Sequence, residues 1–169
     1  MEMVKSFAQR LEEANSLADI FELVKEGVRK VYKTGRAGLS LGLAEIVSQE
    51  NYLIGAFYPF GSNIIVMNKT PLKKIGESDP KLFKPYVFHI LLHEYLHALG
   101  NIDEEYTRKI VYQISLELFG RRHLATQMAK DLGKFMPNLV YSPLDFQPAE
   151  QLQIELVRDF DKSSISYIQ

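Results

Sequence analysis

Cysteine is absent from the 169 residues of this chain. Without thiols there is no disulfide, no thiolate zinc ligand, no cysteine nucleophile and no iron–sulfur cluster. Any metal site must therefore use histidine, carboxylate or water. An excess of charge is missing too, since 20 Lys and Arg stand against 21 Asp and Glu. That balance lacks the electrostatic footprint of a nucleic-acid binder, so no nucleic-acid partner is expected. No apolar run approaches the roughly 20 residues of a membrane-spanning helix. The opening MEMVKSFAQRLEEANS carries acidic residues where a secretory signal needs an apolar stretch. The reading is a cytoplasmic protein without membrane insertion. What is present, 46% hydrophobic and 24% charged residues, is the balance of an ordinary globular chain. The length suits one domain over residues 1–169 with a core of its own; oligomeric state is not legible.

The order of elements follows from periodicity and caps. Ser6 with Gln9, and Ser16 with Asp19, mark two helix starts. Ile20, Phe21, Val24, Val28 and Val31 form a helical stripe that ends before Gly35 and suits packing on a sheet. Leu39, Leu41 and Leu43 then alternate with small residues, a strand that Ile46 and Val47 extend. Tyr52 to Tyr58 reads as a second strand, residues 59–63 as a turn, and Ile64 to Asn68 as a third strand, which together predict a small, mostly antiparallel sheet. After a polar, lysine-rich stretch, an apolar helix is expected from Tyr86 to Leu99, stopped by Gly100. Asp103 caps a further helix to about Phe119, a shorter one spans His123 to Leu132, and after three spaced prolines a last helix is expected near Ala149 to Phe160. Helices, strands, then helices argue for an α+β fold, with N-terminal helices, a buried central helix and C-terminal helices.

The buried helix contains His93-Glu94-Tyr95-Leu96-His97. Spacing of i and i+4 places both imidazoles on one face, one turn apart, where they can grip a single ion. Zinc accepts imidazole nitrogen, and a catalytic zinc has three protein ligands with one position open to water. Glu94, about 100° round the helix, can stand beside that water as general base rather than on the metal. Chance placement in a core helix is the competing reading. Two histidines and a glutamate among Val87, Phe88, Ile90, Leu91, Leu92, Leu96 and Leu99 are costly to bury without partners.

This segment resembles the zincin metallopeptidases, whose signature is a His-Glu-x-x-His helix. The longer run from His93 to Asp103 is similar to the metzincin pattern, with Asp where most metzincins have a third histidine. The resemblance implies a zincin-like fold, one zinc ion per chain on His93, His97 and Asp103, and a sharp turn at Gly100 that brings the third ligand back. Asp103 also suits the N-cap of the following helix. A gluzincin-like arrangement, as in the minimal gluzincins, instead implies a glutamate from a later helix, for which Glu117 is the candidate, with Glu104 and Glu105 as further ones. The family also implies a methionine turn beneath the metal, for which Met136 is placed in Phe135-Met136-Pro137. Tyr141 would stabilise an oxyanion; alternatively both residues simply pack. A substrate-binding edge strand precedes the active-site helix in that family, and Ile64, Ile65 and Val66 occupy the matching place, unless they form a central strand.

The activity implied is zinc-dependent peptide hydrolysis by a metal-activated water, with Glu94 as general base and a peptide or protein as substrate. The alternatives are a metal-dependent hydrolase of another substrate, or a non-catalytic metal-binding interaction module. His89 either orients a ligand or packs, and His123 reads as a helix start.

Overall fold

A computed structural model describes residues 4–47, 52–148 and 152–157. Ser6 opens α1 (Phe7–Glu13) with a reciprocal capping box, its hydroxyl accepting from the Gln9 N–H and its own N–H donating to the Gln9 side chain. Ser16 caps α2 (Leu17–Tyr32), which buries Ile20, Phe21, Val24 and Val28. Lys33, in the left-handed region at φ 57°, ends α2 two residues before the expected Gly35. Its main neighbour is the helix α4 (Phe83–Ala98) rather than the sheet.

Four strands form the main sheet. They are β1 (Ser40–Ala44), β3 (Ala56–Phe57), β4 (Ile64–Asn68) and β6 (Glu155–Leu156), in the order β3-β4-β1-β6. The sheet is mixed, not mostly antiparallel as expected. β1 and β4 run parallel in full register from Ser40 opposite Ile64 to Ala44 opposite Asn68, while β3 and β6 flank them antiparallel. Parallel neighbours need a connection of a dozen or more residues, and 45–63 supplies it. That connection carries β2 (Leu53–Ile54), which leaves the sheet to pair with β5 (Leu139–Val140).

The expected single strand from Tyr52 to Tyr58 is thus split at Gly55. A Cβ there would lie 2.6 Å from the Tyr86 hydroxyl, so the chain passes too close to α4 for any side chain. Gly42 has a similar reason, since a Cβ would meet Ile154 at 2.4 Å where the β6 segment crosses it. The last expected helix is corrected as well. Residues 152–157 contain no helix, and Glu155–Leu156 is a strand paired with β1; the alternation Leu152, Ile154, Leu156 is a strand period. The rest of that expected helix lies outside the described residues.

The lysine-rich stretch is a helix, α3 (Lys69–Ser78), capped by the Asn68 carboxamide and burying only Pro71 and Ile75. So narrow an apolar stripe leaves little periodic signal. Downstream, α5 (Glu104–Phe119) begins after Asp103 and ends at Gly120, as expected, and α6 (Leu124–Lys130) is capped by His123. Every residue of α4 from Pro85 to Ala98 is buried, packed among α2, α3, α5, α6 and strands β3 and β4. A helix apolar on all sides belongs at the centre of a fold, and its few polar residues are held away from water.

A buried histidine–glutamate cluster

The three polar side chains of the α4 motif meet. Ligand atoms of His93, Glu94 and His97 lie within 4.8 Å of one another, and all three residues are buried, so this cluster could hold a metal ion. The two Nε2 atoms are 3.2 Å apart. His97 Nδ1 lies 2.6 Å from the Asn101 carbonyl, which can only accept. In the neutral ring the proton therefore sits on Nδ1, and Nε2 offers its lone pair to the cluster.

Glu104, first residue of α5, faces both rings. Its Oε2 is 3.0 Å from His97 Nε2, and its Oε1 is 2.6 Å from His93 Nε2 without hydrogen-bond alignment. Carboxylate oxygens and imidazole nitrogens thus converge on one point. Acceptors facing acceptors repel unless a cation or a proton sits between them. The contacts show in the titration of each group. Burial pulls the His93 imidazole down against the opposing pull of Glu104. For His97 burial also lowers, but the bonds to Glu104 and Asn101 outweigh it and the net shift is upward. Burial would raise Glu104, yet the two imidazoles hold it well below the usual carboxylate range.

Glu94 is different. Burial pushes its carboxyl up to about 8, with the nearby Glu104 charge adding to the rise and His97 and a backbone hydrogen bond at Tyr58 opposing it. Tyr58 follows β3, so the end of that strand holds the glutamate.

Asp103 is not where the metzincin resemblance implies. Its carboxylate accepts from the Tyr106 N–H at 2.8 Å as the N-cap of α5, and the carboxylate within reach of both imidazoles is that of Glu104. Gly100, at φ 107°, does turn the chain. The turn delivers the first helical residue, whose side chain is free, rather than the cap, whose side chain is committed to the helix. Glu117 is exposed on α5, and Glu105 is exposed and pairs with Lys109 at 3.9 Å. Ile64, Ile65 and Val66 are corrected too. β4 is paired on both sides, so it has no free edge for a peptide, and Ile65 and Val66 are wholly buried. Met136 packs partly buried against the core.

Tyr141 stacks its ring on His93, with centroids 4.2 Å apart and planes 16° from parallel. Its hydroxyl is 2.7 Å from His89 Nε2. Burial pulls His89 down to about 3, so that ring stays neutral and Tyr141 is tied to it. The pair holds the His93 ring in place.

Arg36 gave no sequence signal. Its guanidinium donates to the Ala98 carbonyl at 2.9 Å, the Ser62 carbonyl at 2.8 Å and the Tyr58 hydroxyl at 3.0 Å, and its N–H donates to the Tyr95 hydroxyl. One cation thus ties the end of α4 to the turn that holds Glu94. Only contact across the fold reveals this; nothing in the spacing does. Arg36→Met is expected to cost about 3 kcal/mol, because hydrogen bonds to a charged group are strong and partly buried acceptors lose their donor. Urea unfolding checks this, and a loss below about 0.5 kcal/mol would mean that the network does not hold the fold.

An apolar cavity of about 840 Å³, lined by Phe57, Pro59, Phe60, Ile102 and Phe146 among others, contains none of the cluster residues in its wall. Compared with known family models, curated proteins and solved structures, the chain finds no match. The class stands on its own residues: an α+β protein, with a buried His-Glu-His cluster of the His-Glu-x-x-His kind on its central helix.

Proposed function

We propose that this protein is a zinc-dependent peptidase, with His93, His97 and Glu104 as metal ligands and Glu94 as general base. The observation that carries it is the convergence of His93 Nε2, His97 Nε2 and the Glu104 carboxylate, two imidazole nitrogens and a carboxylate brought within 3.2 Å of one another beside the buried Glu94. A tetrahedral zinc with bonds of about 2.0–2.1 Å sets its ligand atoms about 3.3 Å apart. The two Nε2 atoms, 3.2 Å apart, match that span, and each imidazole has one oxygen of Glu104 within 3.0 Å. Two imidazoles and a carboxylate are also a donor set that zinc accepts.

Zinc, when bound, supplies a Lewis acid that polarises a carbonyl and acidifies water. The residues supply the rest. Glu94, beside a cation, is drawn back to its carboxylate form, takes the proton of the attacking water and returns it to the leaving amine. Its hydrogen bond at Tyr58 fixes which way the carboxylate faces. β3 is an edge of the sheet, and a peptide laid along it would run past Glu94. Tyr141, tied to His89, packs its ring face on His93 and limits the rotation of that imidazole.

The test is elemental analysis of purified protein after loose metal is removed, together with hydrolysis of a pooled set of internally quenched peptides. Near one zinc per wild-type chain is expected, with none in His97→Ala, and peptide cleavage that a chelator stops and zinc restores. A wild type that holds no zinc after reconstitution, or holds it and cuts no peptide, overturns the proposal.

A further inference from the structure

Arg108 stands one helical turn beyond Glu104 on α5, so both side chains lie on one face. Its Nε is 3.9 Å from Glu104 Oε1, and its guanidinium carbon lies 4.6 Å from the centre of the Tyr141 ring, the ring that stacks on His93. The guanidinium is held beside the cluster by these two contacts. Its side chain is nevertheless 54% exposed, and among the described residues it donates no hydrogen bond. A planar cation with its donor fork open to solvent, fixed beside a buried cluster, suits a carboxylate.

Space for such a ligand adjoins it. A cavity of about 440 Å³ between α5 and α6 is lined by Arg108, Lys109 and Lys130, with Glu105 as the only acidic residue in its wall. Three cations, Arg108, Lys109 and Lys130, stand against one carboxylate in that wall, so it is positive. Tyr141 does not compete for the same role, because its hydroxyl is tied to His89.

We propose that Arg108 is the substrate-binding cation of this site, and that the substrate is a peptide with a carboxylate seated in the α5–α6 cavity. The carboxylate is either a free C-terminus or an acidic side chain near the scissile bond. This inference rests on the peptidase reading, and its test separates the two.

The experiment uses three internally quenched peptides of one sequence: neutral with an amidated C-terminus, the same with a free C-terminus, and amidated with one internal Asp. Kinetics are measured for wild type, Arg108→Met and Arg108→Lys, with zinc content measured for each. Binding of the same peptides to the zinc-loaded Glu94→Gln protein and to Glu94→Gln/Arg108→Met is followed by calorimetry. Wild type is expected to prefer one or both carboxylate peptides. Arg108→Met should raise KM for them roughly tenfold or more relative to the neutral peptide while zinc stays near one per chain, and be partly rescued by Lys. The peptide that responds, free C-terminus or internal Asp, identifies the source of the carboxylate.

A uniform fall in kcat for all three peptides would place Arg108 on the transition state and overturn the proposal. Loss of zinc in Arg108→Met would make it a mere support for Glu104 and overturn it equally. If wild type cuts none of the peptides, the peptidase reading fails, and the calorimetry still decides whether Arg108 binds carboxylate: equal binding to both Glu94→Gln proteins refutes it.

Discussion

Glu94→Gln is expected to keep zinc at the wild-type level and to lose peptide hydrolysis by about a thousandfold, within the range that removal of a general base costs. Gln has the same shape and can occupy the same buried place, but its amide cannot take up a proton. Glu94 lies within 4.8 Å of the imidazole nitrogens, and the carboxylate facing both is that of Glu104, so binding of an ion would not depend on Glu94. Retention of full activity would remove Glu94 from the chemistry. The metal-free protein gives a second readout. Because burial raises the folded-state pKa of Glu94 to about 8, its contribution to stability is complete below the ordinary carboxylate range and is lost as pH rises toward and through about 8. Glu94→Gln does not titrate. Melting temperatures in chelator should therefore fall more steeply with rising pH for wild type than for the variant, and parallel curves would contradict the shift.

The pair Glu104→Ala and Asp103→Ala separates the two candidates for the third ligand. Glu104→Ala is expected to lower zinc affinity by well over 100-fold, since partners behind the ligands already cost 10- to 100-fold. Asp103→Ala is expected to keep zinc and to cost about 1 kcal/mol, the usual loss for a helix N-cap. Competition with a chromogenic chelator measures the first, and urea unfolding of the zinc-loaded protein the second. Reversed outcomes would return the ligand to Asp103. The contrast is sharp because the two carboxylates are adjacent in sequence, with one bonded to the Tyr106 N–H and the other facing His93 and His97.

That ambiguity also marks the boundary of what could be read from the sequence. The central helix, its three polar side chains, the cap at Asp103 and the stop at Gly120 were all legible, because periodicity, caps and glycines are local. Which of two neighbouring acids faces the imidazoles depends on how the Gly100 turn aims α5 onto α4. The sheet erred for a similar reason. Consecutive strands suggest hairpins, but β1 pairs parallel with β4 because residues 45–63 carry β2 and β3 on the way back. That route places Ile64–Val66 inside the sheet and leaves β3 at its edge. In the final stretch Leu152, Ile154 and Leu156 alternate as a strand does, while Pro148 equally suits a helix start. Arg36 and Arg108 had no local signature, being ordinary surface-type residues until the fold sets a ring or a carbonyl before them.

The burial of α4 on every side has a consequence for the order in which the molecule comes into being. An isolated helix of 16 residues is marginal in water, and this one has no polar face to rest on solvent. While the chain is still emerging, α2 is available to cover it, but α5, α6 and Tyr141 come later. Until they arrive, the two imidazoles have neither Glu104 before them nor the Tyr141 ring behind. The cluster that could hold an ion is therefore among the last parts of the molecule to be assembled.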